Sequence, residues 1–459
     1  MAFAFFYSKK YGGDYLIITN GTILSFDEQN TIYENQAIYI KNGTIEEINN
    51  KEKLLALYPD EEIIDAKGKY IMPGMVCSHF HTYSSFARGM SLENYNPNGF
   101  REILEGLWWK LDKSLISEDV YYSALVSAVE CIKNGTTTII DHHASPFSIK
   151  DSLSLLSKGF SSLGVRGSYC YEISNRDGYE IENAGIEENI RFIRETKNNE
   201  NSLIKANFGL HAAFTLSDET IKRIVEEESK LNTGFHMHLS EGLYDEEYSQ
   251  KKYGKSVTKR LSDLGLIKDN SFLVHGVFLS DEDLDIIKES NSYLIHNPQS
   301  NMNNGLELPR VEKILEKEIN LGMGTDGFST DMFREIDVCY VAHKYANHNS
   351  LTMSPDTVKK LVFNNNSKIM KKIWGIEGAV IKKGAFGDVI IVDYNPPTPL
   401  DQNNLAGHLV FGISGTNVDT TIVNGKILMK DKKLIGIDEE SIFKEARKLS
   451  KKLWERLNG

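Results

Sequence analysis

The chain has 459 residues, 41% apolar and 25% charged, so it is too long for one typical core and too apolar for a disordered chain. Its 64 acidic and 52 basic residues leave a net charge of −12 with no long Lys/Arg cluster, which excludes nucleic acid as an expected partner. No apolar stretch approaches the roughly 20 residues that span a bilayer, and MAFAFF precedes Lys9 and Lys10 instead of following a basic segment, so no membrane association and a cytoplasmic location are expected.

From Tyr15 to about Pro73, short β-rich runs alternate with turns (YLIITNG, AIYIKNGTI, IIDAKGKYIMPG), and residues 1–73 are expected to be all-β. Asn20, Asn42 and Asn134 each open an Asn-Gly-Thr triplet. Without a secretory signal these are turn signals rather than glycosylation acceptors. Cys77, Cys131, Cys170 and Cys339 form no CxxC pair and are expected to be reduced packing residues.

Residues 74–383 alternate apolar runs with helical stretches, the rhythm of a parallel sheet wrapped by helices. Strands are predicted at 75–81, 137–143, 165–172, 205–211, 233–241, 271–277, 291–298 and 319–327. Eight is the number that closes a (β/α)8 barrel. Between the first two strands, Ser117 is placed to cap a helix whose first turn holds Glu118 and Asp119 and which Asn134-Gly135 ends.

A β texture returns over residues 384–459 (DVIIVDY, HLVFGI, TTIVNGKILMKDKKLIGI) before an amphipathic helix over 439–457. LIITNGTIL at 16–24 and TTIVNGKIL at 420–428 share one strand, Asn-Gly, strand pattern, so the two ends are expected to pair. The predicted fold class is α/β: a (β/α)8 TIM-like barrel plus a small β-sandwich formed by the N- and C-terminal segments.

The predicted strands begin apolar and end in His, Asp, Glu or Asn, and the C-terminal mouth of a barrel is where such residues have a use. His79 and His81 are two apart and share a face, the spacing at which two imidazoles meet one cation. Composition alone gives about 0.3 such triplets, so a surface or core origin stays open for this pair taken by itself. A second HxH, His236 and His238, precedes Glu241. That makes His238 and Glu241 a candidate ligand and acid/base pair. His236 sits two residues deeper, where a histidine hydrogen-bonded inside the core is the commoner outcome. His275 ends the sixth strand and Asp326 the eighth, within GMGTDG, where Gly324 and Gly327 are expected to allow close backbone approach. Three imidazoles and one carboxylate leave a divalent cation with a charge near +1 and room for water, whose pKa falls toward about 7.

PGMVCSHFHTYSSFARGM, HMHLSE, LVHG, HNPQSN and GTDG resemble the amidohydrolase superfamily, in its cytosine deaminase and chlorohydrolase-like branch of aminohydrolases, over nearly the whole chain. Within that branch, SHFHTYSSFARGM, TTTIIDHHASP and HNPQSNMNNG look most like the aminohydrolases called SsnA. The resemblance implies that His79, His81, His238 and Asp326 bind one zinc or iron ion. It also implies that Glu241, His275 and Asp326 are catalytic, moving protons and orienting hydroxide for attack on a trigonal carbon. His211 falls where relatives place a substrate-contacting histidine. His142 and His143 depart from most deaminases of the branch, and Asp141, His142 and His143 are candidates for substrate hydrogen bonds. Asn297 and Asn301 match a segment that shapes the pocket floor, and Asn297 is the third expected substrate contact. Glu172 stands where dinuclear relatives place a carboxylated lysine, so one metal, zinc before iron, is expected.

The leading expectation is hydrolytic deamination of a purine-like N-heterocycle by a homodimeric enzyme whose partners are that small molecule and water. Opening of a cyclic amide or amidine ring uses the same constellation, and ammonia release separates the two. A barrel kept only as a binding module is the rival from another class.

Overall fold

The computed structural model describes residues 15–92, 95–198 and 203–458. MAFAFF and the two lysines after it lie outside these. Among the described residues no helix is long and apolar enough to cross a membrane.

Eight parallel strands follow one another through the middle of the chain: β1 (Met75–Phe80), β2 (Thr136–His143), β3 (Arg166–Tyr171), β4 (Phe208–Ala212), β5 (Phe235–Leu239), β6 (Phe272–His275), β7 (Tyr293–His296) and β8 (Asn320–Met323). They lie as two sheets. In the first, β1, β2 and β3 are continued by the short strand Ile204–Ala206, and the second runs in order from β4 to β8. Isolated parallel bridges join the margins, Phe80 to Asp326 on one side and Ile173 to Leu210 on the other. The run predicted over 205–211 is thus broken at Asn207. Its side chain is engaged between the Ser168 hydroxyl and the Thr233 carbonyl, so the chain changes neighbours there.

The strands are buried on nearly every residue, as parallel strands covered by helices must be. The helix Ser117–Asn134 packs against β2 and ends at Gly135, whose φ of 74° is the left-handed geometry that favours glycine. Its start differs from expectation. Ile116 is the capping position, its N–H is bound by the Asp119 carboxylate (3.0 Å), and the Ser117 hydroxyl pairs with Ser148 instead.

Strands from both ends of the chain meet in a seven-stranded sheet. Tyr70–Pro73 runs antiparallel to Val389–Val392, which pairs in turn with Val418–Val423. A four-stranded sheet, with Tyr15–Thr19 inside it, lies beside this one, and the two share one apolar cluster that includes Leu16, Ile38, Ile64, Ile71, Val389 and Ile422. HLVFGI is not a strand. It falls in the helix Leu405–Phe411, which buries Leu405, Ala406, Leu409 and Val410 at helical spacing. All four cysteines are free and buried.

Arg166, at the start of β3, links the barrel strands to this terminal layer. It forks onto Asp388 (2.8 and 3.0 Å) and stacks on Phe386, and the residue is 1% exposed. Asp388 also binds the Asn424 N–H. Removing one member of such a pair leaves a buried charge uncompensated, which costs about 3–5 kcal/mol. Arg166→Ala is therefore expected to lose stability on that scale, read as a lower denaturant midpoint. A midpoint equal to that of the wild type would mean the two layers do not depend on this contact.

Candidate active site

The polar residues that end the strands converge at one end of the barrel. His81 Nδ1 donates to the His142 carbonyl (2.6 Å) and His238 Nδ1 to the His211 carbonyl (3.0 Å). Each ring is thereby fixed in the tautomer whose Nε2 bears a lone pair. His79 Nδ1 lies 2.9 Å from His236 Nε2, and the other nitrogen of His236 faces Cys170 Sγ, so His236 supports His79 from inside the barrel.

The three free Nε2 atoms face a carboxylate oxygen and one another. His81 Nε2 is 3.2 Å from both His238 Nε2 and Asp326 Oδ1, and His79 Nε2 is 3.6 Å from Asp326 Oδ1. His79 Nε2 is fully buried without a hydrogen-bond partner. Four acceptors in mutual contact repel unless something positive lies among them. Burial opposes a charge on His81, yet Asp326 lifts its imidazole to about 9, and Asp326 is itself held well below the usual carboxylate range by His79 and His81 against the effect of burial. One proton on His81 would satisfy part of this arrangement, whereas a divalent cation satisfies all of it. The donor set is the imidazole and carboxylate type that holds zinc or another transition-metal ion.

Glu241 and His275 stand beside this group. His275 Nε2 is 3.5 Å from Glu241 Oε2 and 3.9 Å from Asp326 Oδ2. The Asn301 amide donates to His275 Nδ1 (3.2 Å), which leaves the Nε2–H directed at the two carboxyl groups. Ser300 donates to Asp326 Oδ2. Burial, reinforced by Asp326, Asp245 and Glu172, pushes Glu241 well above the usual carboxylate range. His275 and Asp326 adopt φ values of 74° and 56°, a left-handed geometry that costs a non-glycine residue about 1–3 kcal/mol and gathers at functional sites. Gly324 is required by close approach, because a Cβ there would lie 2.5 Å from the His79 nitrogen. Gly327 is not, since its nearest neighbour would be 3.4 Å away.

A cavity opens onto these groups, with Phe100, Trp108, Trp109 and Phe328 as aromatic walls and His81, His238, Glu241, Asp326, Glu172 and His211 as polar ones. Of the three expected substrate contacts, His211 lines this cavity. His142 and Asn297 lie behind it, both fully buried, and His142 meets the site through its carbonyl bond to His81. Asp141 binds the Thr82 N–H (2.8 Å) at the turn after His81, whereas Ser300 and the Asp112–Arg176 pair (3.0 Å) carried no sequence signal of their own. The aromatic and acidic run FREILEGLWWKLD was the available hint for the cavity wall.

The architecture matches a solved structure, an adenosine deaminase from Xanthomonas campestris with bound zinc, with a TM-score of 0.84, 18% identity, and coverage of 95% of this chain and 98% of that one. At that identity the likeness concerns the fold, a TIM barrel of α/β content. Such a barrel, with imidazoles and a carboxylate gathered at its strand ends, is a scaffold for a divalent-metal site, and the family and relatives of this chain make it a hydrolase acting on carbon–nitrogen bonds. The chain belongs to the amidohydrolase family, whose model matches residues 70–428. It is 31% identical over 448 residues to a protein named 5'-deoxyadenosine deaminase from Methanosarcina acetivorans, covering 97% of this chain and 99% of that one. It is also 31% identical over 450 residues to a 5-methylthioadenosine/S-adenosylhomocysteine deaminase from Thermoanaerobacter pseudethanolicus, covering 96% of this chain and all of the relative.

Proposed function

We propose that this chain is a metal-dependent aminohydrolase that removes the exocyclic amino group of a purine-like heterocycle. The observation that carries the reading is the set of facing acceptors on His79, His81, His238 and Asp326 beside the Glu241–His275 pair, all on one cavity. Full-length relatives named for deaminating substituted adenosines support the choice of substrate class.

These four residues would hold a divalent cation, which would supply water with a pKa lowered toward about 7. Around that chemistry the side chains divide the work. Asp326 and the His275 Nε2–H orient the attacking oxygen, and Asp326 accepts its proton. Glu241, kept protonated by burial, donates to the ring nitrogen next to the reacting carbon. The oxygen–carbon bond forms, the carbon–nitrogen bond breaks, the nitrogen leaves as ammonia once it has gained the water proton held by Asp326, and the oxygen's second proton passes to Glu241, restoring its acid form. The aromatic walls exclude bulk solvent and stack on a flat ring.

Zinc is the proposed ion, ahead of iron, because the donors are imidazole and carboxylate and the proposed chemistry is not redox. One ion per chain is proposed. Residues 74–383 are taken as the catalytic body, and residues 1–73 with 384–459 as a small sandwich with a terminal helix, supported by the apolar cluster their sheets share.

Metal analysis followed by ammonia release from a panel of aminopurines and aminopyrimidines tests the reading. About one zinc or iron per chain with ammonia released is expected. Metal with ring-opened product and no ammonia would replace deamination by amide or amidine hydrolysis. A chain that binds no metal and turns over nothing would remove the enzyme reading.

A further inference from the structure

A second pair of facing acceptors lies outside the cluster at His79, His81, His238 and Asp326. The Thr215 hydroxyl donates its hydrogen to the Ala212 carbonyl (2.9 Å), so it can only accept from His211 Nδ1, 2.8 Å away. This hydrogen bond sets His211 in the tautomer with its proton on Nδ1. Its Nε2 is a bare lone pair, and it faces Glu172 Oε1 at 3.4 Å.

The cation nearest that oxygen is Arg176, at 3.9 Å, beyond hydrogen-bond reach and already bound to Asp112 and Ser174 at 3.0 Å each. Arg176 stacks on Trp109 and is held in place by these contacts. Its positive charge also disfavours a second metal ion at Glu172. Both Glu172 and His211 line the cavity, so what the cavity binds can supply the donor that these two acceptors lack when Glu172 is ionised. Glu172, His142 and His81 each offer a ligand atom within 4.8 Å of the others, which puts Glu172 beside the group proposed to hold the metal.

We propose that Glu172 Oε1 and His211 Nε2 together accept the two N–H bonds of the substrate's leaving amino group, so that the site tells the amino substrate from its carbonyl product by hydrogen-bond polarity. The inference rests on the aminohydrolase reading above. After deamination a carbonyl oxygen, itself an acceptor, stands where the amino group stood. It then faces a carboxylate and a lone pair, which repel it and favour release of product. The pair thus contributes specificity for amino-bearing rings and limits product inhibition.

The test compares metal-loaded wild type and Glu172→Gln at about pH 8, above the value of about 7 to which burial lifts Glu172. The probes are 5'-deoxyadenosine, adenosine, adenine and guanine, each with its deaminated product as inhibitor. For the probe that wild type turns over, Glu172→Gln is expected to raise KM about 10- to 100-fold, the loss of a hydrogen bond to a charged group. The same change is expected to tighten product inhibition, because the new amide N–H donates to the product carbonyl. KM and the inhibition constant are read in one sample, so a misfolded fraction cancels from their ratio. If the glutamine variant does not fold, Glu172→Asp keeps the charge, withdraws the oxygen and should move KM upward by less. Equal shifts for substrate and product, or no shift, would overturn the inference while leaving the aminohydrolase reading intact. Two metal ions per wild-type chain falling to one in the variant would also overturn it, by making Glu172 a ligand. Turnover of no probe would overturn the underlying reading and this inference with it.

Discussion

Replacing Glu241 by glutamine is expected to lower kcat by about 10²- to 10⁴-fold with metal content unchanged. Glutamine has the size of glutamate and can hydrogen-bond a ring nitrogen, but it has no proton to give. Glu241 is 8% exposed, and the neighbouring Asp326, Asp245 and Glu172 add to burial in holding it in the acid form. The usual carboxyl pKa would leave it ionised at neutral pH, so this surrounding is what makes it a proton donor. Its backbone N–H is tied to Asp245 (3.3 Å) and its Oε2 lies against His275, so the side chain is held in place before substrate enters. Turnover by Glu241→Gln equal to that of wild type would mean that the proton reaches the ring by another route. Loss of metal in the variant would instead make Glu241 part of the ion's own shell.

Chelation is expected to abolish activity and to lower thermal stability, both reversed by added zinc. An ion that binds only the folded chain stabilises it by about 4 kcal/mol when present at 1,000 times its Kd. Without an ion, the His79, His81, His238 and Asp326 acceptors face one another in a buried space, and protonation of His81 relieves only part of their repulsion. His238→Ala removes one donor and should weaken metal binding enough that zinc no longer shifts the melting temperature. Asp326→Asn should do the same and should also lose the proton acceptor proposed for the attacking water. Differential scanning of wild type and both variants with and without zinc reads this directly. A zinc-dependent shift that persists undiminished in His238→Ala would place the ion elsewhere.

The sequence by itself determined which residues meet at the site. Strands with apolar starts and polar ends, and HxH spacing on two of them, follow from the two-residue period of a strand, which fixes facing without knowledge of the fold. Hence His79, His81, His238, His275 and Asp326 were all legible, and so was the deeper position of His236 behind His79. The Asn-Gly turn that ends the helix at Gly135 was legible for the same local reason.

Only the tertiary structure decided the rest, because it depends on atoms far apart in the chain. HLVFGI reads as a strand by composition, yet it is a helix, since Leu405, Ala406, Leu409 and Val410 find a buried face only at helical spacing. The two terminal Asn-Gly hairpin patterns do not pair with one another directly. Thr22–Leu24 reaches Val418–Val423 through Tyr70–Pro73 and Val389–Val392, whereas Tyr15–Thr19 lies in the four-stranded sheet, so the N-terminal pattern is not a hairpin. His142 reads as a substrate contact by its position at a strand end but lies behind the cavity, while Glu172, noted only for not being lysine, faces into it. Which nitrogen of each histidine is free is set by partners such as Thr215, His236 and the carbonyls of His142 and His211. A strand's period settles which way a side chain points, whereas its hydrogen bonds, and therefore its chemistry, are settled by whatever the fold brings against it.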